Sequence, residues 1–337
     1  MKYSGIDLHS NNSVVVVINE NDRVIVSKRM PNQLPGIIEL LRPYQNELAG
    51  VVVESTYNWY WLVDGLQDAG FVVHLANTAA MTTYEGLKHG NDESDAINLA
   101  RTLRLGILPT GHIMEKQTRA VRDLARKRMR LVQNRTRHVI AVENILARET
   151  GGHMNANAVK RLTPEAVDTL PLPDDVRLAI RSDVAVINRI DEEVERIETR
   201  LQERVAARPE LELLKTAPGI GRVLATTIVL ETGPIHRFAQ VGHFASYCRC
   251  VDSQRLSNGK KKGEGNTKNG NKYLAWAFVE AANFALRFCP EAKRFYERKK
   301  ARTNGIVAIK ALAHKLARAC YHMLKEGKPF DVHRCFA

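Results

Sequence analysis

The sequence has no apolar run approaching the roughly 18 to 20 residues needed to cross a bilayer, and its start, MKYSGIDLHS, places no apolar stretch behind a basic cluster. No membrane partner is expected, and a cytoplasmic location follows. Cysteine is scarce: Cys248, Cys250, Cys289, Cys320 and Cys335 are an odd number without CxxC spacing. That pattern argues against a thiolate zinc site and against a disulfide framework, and reduced thiols are expected. Acidic residues are also short, 37 Asp and Glu against 50 Lys and Arg, for a formal net charge of +13. The deficit favours a polyanionic partner such as nucleic acid, although a ribosomal or membrane-surface protein shares such a balance.

What is present is length and a clear order of signals. A chain of 337 residues exceeds one ordinary mixed domain and suggests two, joined by a helical connector. YSGIDL, NSVVVVINE and VIVSKRM predict three antiparallel strands, the last two joined by a turn at Glu20 to Arg23. A helix near Leu34 to Leu41, interrupted at Pro43, leads to the buried-strand run GVVVES. A helix from Trp59 to Ala69, the strand FVVHLA and a helix from about Ser94 to Leu105 follow. Three strands and then β-α-β-α is the order expected of an α/β ribonuclease H-like fold.

From Glu115 to Arg148 the pattern predicts one long helix, rich in basic residues that include Arg119, Arg122, Arg126, Lys127 and Arg130. These are read as nucleic-acid contacts. After Gly151-Gly152 and Pro171-Leu172-Pro173, a second long helix is predicted over about Asp174 to Ala207. Within it Ile187, Ile190, Val194, Ile197 and Leu201 recur at steps of three and four, a coiled-coil seam expected to pack on the first long helix, with dimerisation as the alternative. Domains are placed at 1–112, 113–208 and 209–337, the last mainly helical.

Asp7 and Glu54 each end an apolar strand, and Asp92 and Asp95 lie three apart at a helix start, on one face. Singly, each is an ordinary turn or cap residue. Together, on this element order, they favour a metal site, because neighbouring carboxylates are tolerated mainly when a cation binds them. Hard oxygens suit Mg²⁺ or Mn²⁺ in phosphoryl transfer.

In the C-terminal part, Pro218-Gly219-Ile220-Gly221 between two helical pieces resembles a helix-hairpin-helix turn, in which Gly219 and Gly221 let backbone amides approach a phosphate. A polar basic loop from about Asp252 to Lys272 holds Ser253, Arg255, Ser257, Lys260, Lys261, Lys262 and Lys268, and its composition suits wrapping a phosphate backbone. His9 and His89 flank the acidic motifs and are read as ordinary surface or core histidines. Trp59, Trp61 and Trp276 read as core anchors, and Cys248 and Cys250 as packing residues that alternate along a strand.

Gly5-Ile6-Asp7, Glu54-Ser55-Thr56 and the Asp92-x-x-Asp95-Ala96 helix start resemble the DEDD transposases of bridge-RNA-guided insertion sequences, whose N-terminal domain is similar to the Holliday-junction resolvase RuvC. The family has a lysine two positions before the first Asp of the last motif; Gly90 stands there in this chain, with Lys88 two further back. Pro218 to Gly221, then Ser257, then Thr267-Lys268-Asn269-Gly270-Asn271 resemble the C-terminal pattern of the same family, and HKLARACYHMLKEGKPFD resembles its closing segment. Asn258 intervenes between Ser257 and Gly259, and Thr267 replaces the usual serine.

The resemblance implies a recombinase in which metal-bound Asp7, Glu54, Asp92 and Asp95 serve a serine nucleophile. Ser257 is the candidate, favoured by its spacing from Phe244 and to Lys268, with Ser253 as the alternative. It further implies donor and target DNA, a bridge RNA and dimers assembling to a tetramer as partners, in a nucleoid-associated protein. Two rival readings stand beside it. In one, a metal-dependent structure-specific nuclease or resolvase activates water; in the other, the basic helices belong to a non-catalytic nucleic-acid-binding protein.

Overall fold

The structure, a computed structural model, describes residues 1–81, 90–251, 254–264 and 269–336, with only the backbone described for 254–257 and 261–264. Lys88, His89, Ser253 and Lys268 lie outside the described residues. The chain divides into two compact units, Met1–Lys116 with Arg255–Asn269, and Gln117–Gln254 with Gly270–Ala337.

The first unit is built on a mixed sheet of six strands: β1 (Lys2–Leu8), β2 (Asn12–Asn19), β3 (Val24–Pro31), β4 (Leu48–Glu54), β5 (Val73–Ala76) and the short β6 (Thr110–Gly111). Their order across the sheet is β3-β2-β1-β4-β5-β6. β1, β2 and β3 pair antiparallel, β1 and β4 as well as β4 and β5 pair parallel, and β6 returns antiparallel. This arrangement is consistent with a ribonuclease H-like N-terminal domain. The edge strand β6 has no signal in the sequence, since two residues show no periodicity.

Strand side chains alternate between faces, so each strand feeds two cores. Ile6, Leu8, Val15, Val17, Val51 and Val53 pack with Ile37 and Leu41 of α1 (Leu34–Leu41) and Leu62, Val63 and Leu66 of α2 (Tyr60–Asp68). On the other face, Val14, Val16 and Ile18 meet Ala96 and Ala100 of α3 (Asp92–Arg104). Gly5 explains how closely α3 lies on β1. A Cβ there would come within 2.0 Å of the Ala96 carbonyl oxygen and 2.8 Å of the Ala100 nitrogen. The helix backbone thus occupies the place of a side chain.

The second unit contains two long helices, α4 (Lys116–Thr150) and α7 (Asp174–Val205), with the short α5 (Ala156–Val159) and α6 (Pro164–Asp168) between them. Ion pairs run in opposite order along the long helices, Arg128–Glu198 at 2.6 Å, Arg135–Asp191, and His138–Asp183 at 2.8 Å. Val139, Val142 and Leu146 of α4 share a core with Ile180, Val184 and Ile187 of α7. Of the expected seam residues, Ile187 lies in this core.

The rest of the unit is helical, from α8 (Pro209–Lys215), α9 (Arg222–Thr232) and α10 (Val241–Tyr247) to α11 (Lys272–Phe288), α12 (Pro290–Arg302), α13 (Gly305–Glu326) and α14 (Val332–Phe336). Phe244 and Phe278 anchor its core. Cys248 and Cys250 follow α10 in a turn rather than lying on a strand, because Arg249 between them adopts φ of 54°. The basic loop is also more ordered than its composition suggests. Gln254–Ser257 (β7) and Lys260–Glu264 (β8) form a two-stranded ribbon. Asn258 and Gly259 make its turn with φ of 50° and 70°, the left-handed pair that an Asn-Gly hairpin turn requires.

Candidate functional site

In the first unit the parallel pairing of β1 with β4 sets Ile6 against Val53, so the next residues, Asp7 and Glu54, leave neighbouring strands together. Alternation puts both on the face covered by α3. The helix delivers the other two acids at its start. Asn91 caps it, accepting from the Ser94 nitrogen at 2.8 Å, and Asp92, Glu93 and Asp95 fill the first turn, where carboxylates also meet the positive end of the helix. Four contacts hold this geometry. Gly5 admits the helix backbone, Arg104 grips Asp22 through two bonds of 2.7 Å at the far end, and Ser27 and Arg29 of β3 reach Glu93 and Asp92 at 2.5 Å each.

Asp7 is 3 % exposed. Burial pushes its carboxyl above the ordinary range; a hydrogen bond with Glu54 and the nearby His9 oppose this, while the charges of Asp95 and Asp92 add to it. All four carboxylates are therefore within electrostatic reach of one another at Asp7. Asp92 is shifted the other way, held down chiefly by its hydrogen bond from Arg29.

His9, read from sequence as a bystander, belongs to the site. Its Nε2 lies 3.3 Å from Asp7 Oδ2 and 3.2 Å from Asp92 Oδ2. One ligand atom from each of these three residues falls within 4.8 Å of the other two. That nitrogen is shielded from solvent yet forms no well-aligned hydrogen bond. A shielded imidazole nitrogen beside two carboxylates, one of them raised by burial, fits a divalent cation, which accepts both ligand types and relieves the repulsion. The signal was present in the sequence, because positions 7 and 9 share a face of an extended chain.

The residues assigned to nucleic acid separate into groups. Arg119 is buried, and Arg126 donates through Nε and Nη2 to Glu231 at 2.6 and 2.7 Å. Asn271 donates to the same carboxylate at 2.7 Å while capping α11, and Arg126 lies 4.4 Å above the Tyr273 ring. Both arginines are corrected to internal positions: Arg119 by its own burial, and Arg126 because Glu231 is itself buried at 3 % exposure and requires a partner. Arg122 is half-buried beside Asp123 at 3.3 Å. Lys127 and Arg130 are exposed.

Gly219 also changes role. With φ of 82°, it abuts α11 so tightly that a Cβ would lie 2.2 Å from the Ala281 carbonyl oxygen, which makes it a packing glycine. Gly221, at the start of α9, faces open space. Lys260 is exposed beside the ribbon turn, and only the backbone of Arg255, Ser257, Lys261 and Lys262 is described.

Residues 4–149 match the transposase family defined by the DEDD transposase of IS110, and residues 211–297 match the Transposase IS116/IS110/IS902 family. The chain is 24 % identical, over all of its length and 92 % of the relative's, to the transposase for insertion sequence element IS1111A of Coxiella burnetii. It is also 24 % identical, over 97 % of its length and 98 % of the relative's, to the transposase for insertion sequence element IS1328 of Yersinia enterocolitica. A Streptomyces coelicolor protein of insertion element IS110 is 23 % identical over 50 % of this chain and 42 % of that protein.

Proposed function

The chain belongs to the IS110 family of DEDD transposases, and from that premise we propose that it cuts and rejoins DNA through Asp7, Glu54, Asp92, Asp95 and a serine nucleophile, Ser257. The meeting of Asp7 and Glu54 on paired strands, under the helix start that bears Asp92 and Asp95, carries the reading. These side chains, with His9, would hold Mg²⁺ or Mn²⁺, whose chemistry is to offset negative charge on the phosphate and the leaving oxygen.

The serine oxygen attacks phosphorus in a phosphodiester, a new serine–phosphate bond forms, and the bond to the 3′ oxygen breaks. The serine proton is lost and the departing oxygen gains one, leaving a phosphoserine and a free 3′ hydroxyl. Support for bringing Ser257 to the carboxylates is that Arg255–Asn269 clusters with Met1–Lys116 in one compact unit. Ser257 is the last residue of β7 before the Asn-Gly turn, at the tip of a basic ribbon suited to a phosphate backbone.

In this reading a bridge RNA chooses the donor and target sequences by base pairing, and the protein grips backbone through exposed cations such as Lys127, Arg130 and Lys260. Dimers assemble to a tetramer on the DNA in the nucleoid. Ser257→Ala should abolish strand exchange and any covalent protein–DNA adduct seen on a denaturing gel. An adduct that survives moves the role to Ser253 or removes the serine mechanism. Hydrolysed ends with no adduct in the wild-type protein would instead establish a carboxylate-only nuclease.

A further inference from the structure

The closing motif Lys325-Glu326-Gly327-Lys328-Pro329-Phe330-Asp331 takes no part in the chemistry above. In the second unit it forms one wall of a cavity of about 270 Å³ whose other walls are the last turns of α13 and the short α14. Local geometry accounts for the shape. Gly327 ends α13 with φ of 65°, and the chain doubles back so that the Phe330 nitrogen donates to Thr216 Oγ1 at 2.9 Å. Asp331 then starts α14 by accepting from the nitrogens of His333 and Arg334 at 2.9 and 3.1 Å.

The charges lining the cavity are unequal once internal pairs are taken away. Glu326 is held by Arg334 through two bonds of 2.7 and 2.8 Å, and Asp331 is used at the helix start. Lys315 donates to the Cys335 carbonyl oxygen at 2.7 Å but keeps its charge. Arg318 and Lys328 are exposed at the rim and form no ion pair among the described residues. Glu326 is therefore neutralised while Asp331 keeps its charge, so three cations against one carboxylate line a space with Phe330 and Pro329 along its wall.

We infer that this cavity is a nucleotide-binding site that takes a phosphate-bearing unit of a nucleic-acid strand, its phosphate between Arg318 and Lys328 and its base against Phe330. An arginine fork and a lysine point charge are the common phosphate partners, and an aromatic wall accepts any base face. The volume suits a single nucleotide rather than a duplex groove. The site lies outside the residues given to strand cleavage, and the inference rests only on the reading that the protein binds nucleic acid.

The test is fluorescence anisotropy of the full chain with a labelled twelve-nucleotide single strand, as DNA and as RNA, in EDTA over a salt series. Arg318→Ala with Lys328→Ala should weaken binding about tenfold at low salt and reduce the slope of log affinity against log salt by about 0.7, one single-strand phosphate contact. Both side chains are exposed, so the thermal midpoint should not move. Ala319→Phe, which fills the cavity without changing charge, should weaken binding with the slope nearly intact. Unchanged affinity in the charge variant overturns the site. Unchanged affinity in Ala319→Phe beside a loss in the charge variant overturns the cavity in favour of a diffuse basic surface. The readout is binding in EDTA, where no metal-dependent cleavage takes place, so failure of the cleavage mechanism leaves this result readable.

Discussion

The molecule buries carboxylates in two places and treats them in opposite ways. In the second unit, Glu231 is matched by the Arg126 fork and the Asn271 amide and sits above 90 % burial with every charge answered. In the first, Asp7 is equally buried beside the charges of Asp92 and Asp95, opposed among the described residues by a hydrogen bond with Glu54, by His9 and, through Asp92, by Arg29. The first arrangement is a strut. The second stores repulsion for something cationic to relieve. Compensation, more than burial, separates scaffold from site, and pairing within the fold accounts for the strut in full.

The comparison breaks if Asp7 can be neutralised without cost to function. Asp7→Asn should reduce strand exchange by about a thousandfold or more, measured as product formed from a synthetic donor and target, because one group that offsets charge at the phosphate is lost with its metal. Equal activity would make the cluster structural. Next in size, Glu231→Gln should destabilise the protein by about 3 kcal/mol in denaturant unfolding, since it leaves the Arg126 charge half-buried without its counter-ion. A change under roughly 0.5 kcal/mol, the level of an exposed pair, would show that the strut contributes little.

The smallest effect sharpens the contrast most. The Asp7 carboxyl titrates above its ordinary value in the folded chain, so the native state binds its proton more tightly than the unfolded state does. The resulting penalty on stability is absent below the ordinary aspartate value of 3.8 and is fully present once pH exceeds the raised folded value. Metal-free protein should therefore gain stability as pH falls through that window, relative to an Asp7→Asn variant that lacks the term. Parallel stability curves for the two proteins would contradict it.

Much of the fold was legible because a continuous apolar run marks buried strands such as NSVVVVIN and a period of 3.6 marks the long helices. Asp7 and Glu54 were legible for the same reason, as acids closing apolar strands. His9 was not, since a single histidine carries no pattern, although its place two residues beyond Asp7 was a usable sign. Arg119 and Arg126 were misread because charge alone does not say which side of a helix faces inward. Their steps of three and four with Arg122 and the buried Met129 mark the inward stripe, whereas Lys127 and Arg130 lie off it. The ribbon at Ser257 was missed for a different reason: composition was weighed, and the Asn258-Gly259 turn was read only as an interruption.

Gly5 sets a limit on how this enzyme can be redesigned. At Gly5 the interval between the strand that bears Asp7 and the helix that bears Asp92 is a backbone-to-backbone thickness, with only the Leu99 Cβ beside it. Nothing smaller than glycine exists, and the next size up is a whole methyl group driven into a carbonyl oxygen. An engineer seeking a wider or narrower cation pocket therefore has no adjustment available at the sheet, and must work instead through the length and pitch of the segment that leads into the helix.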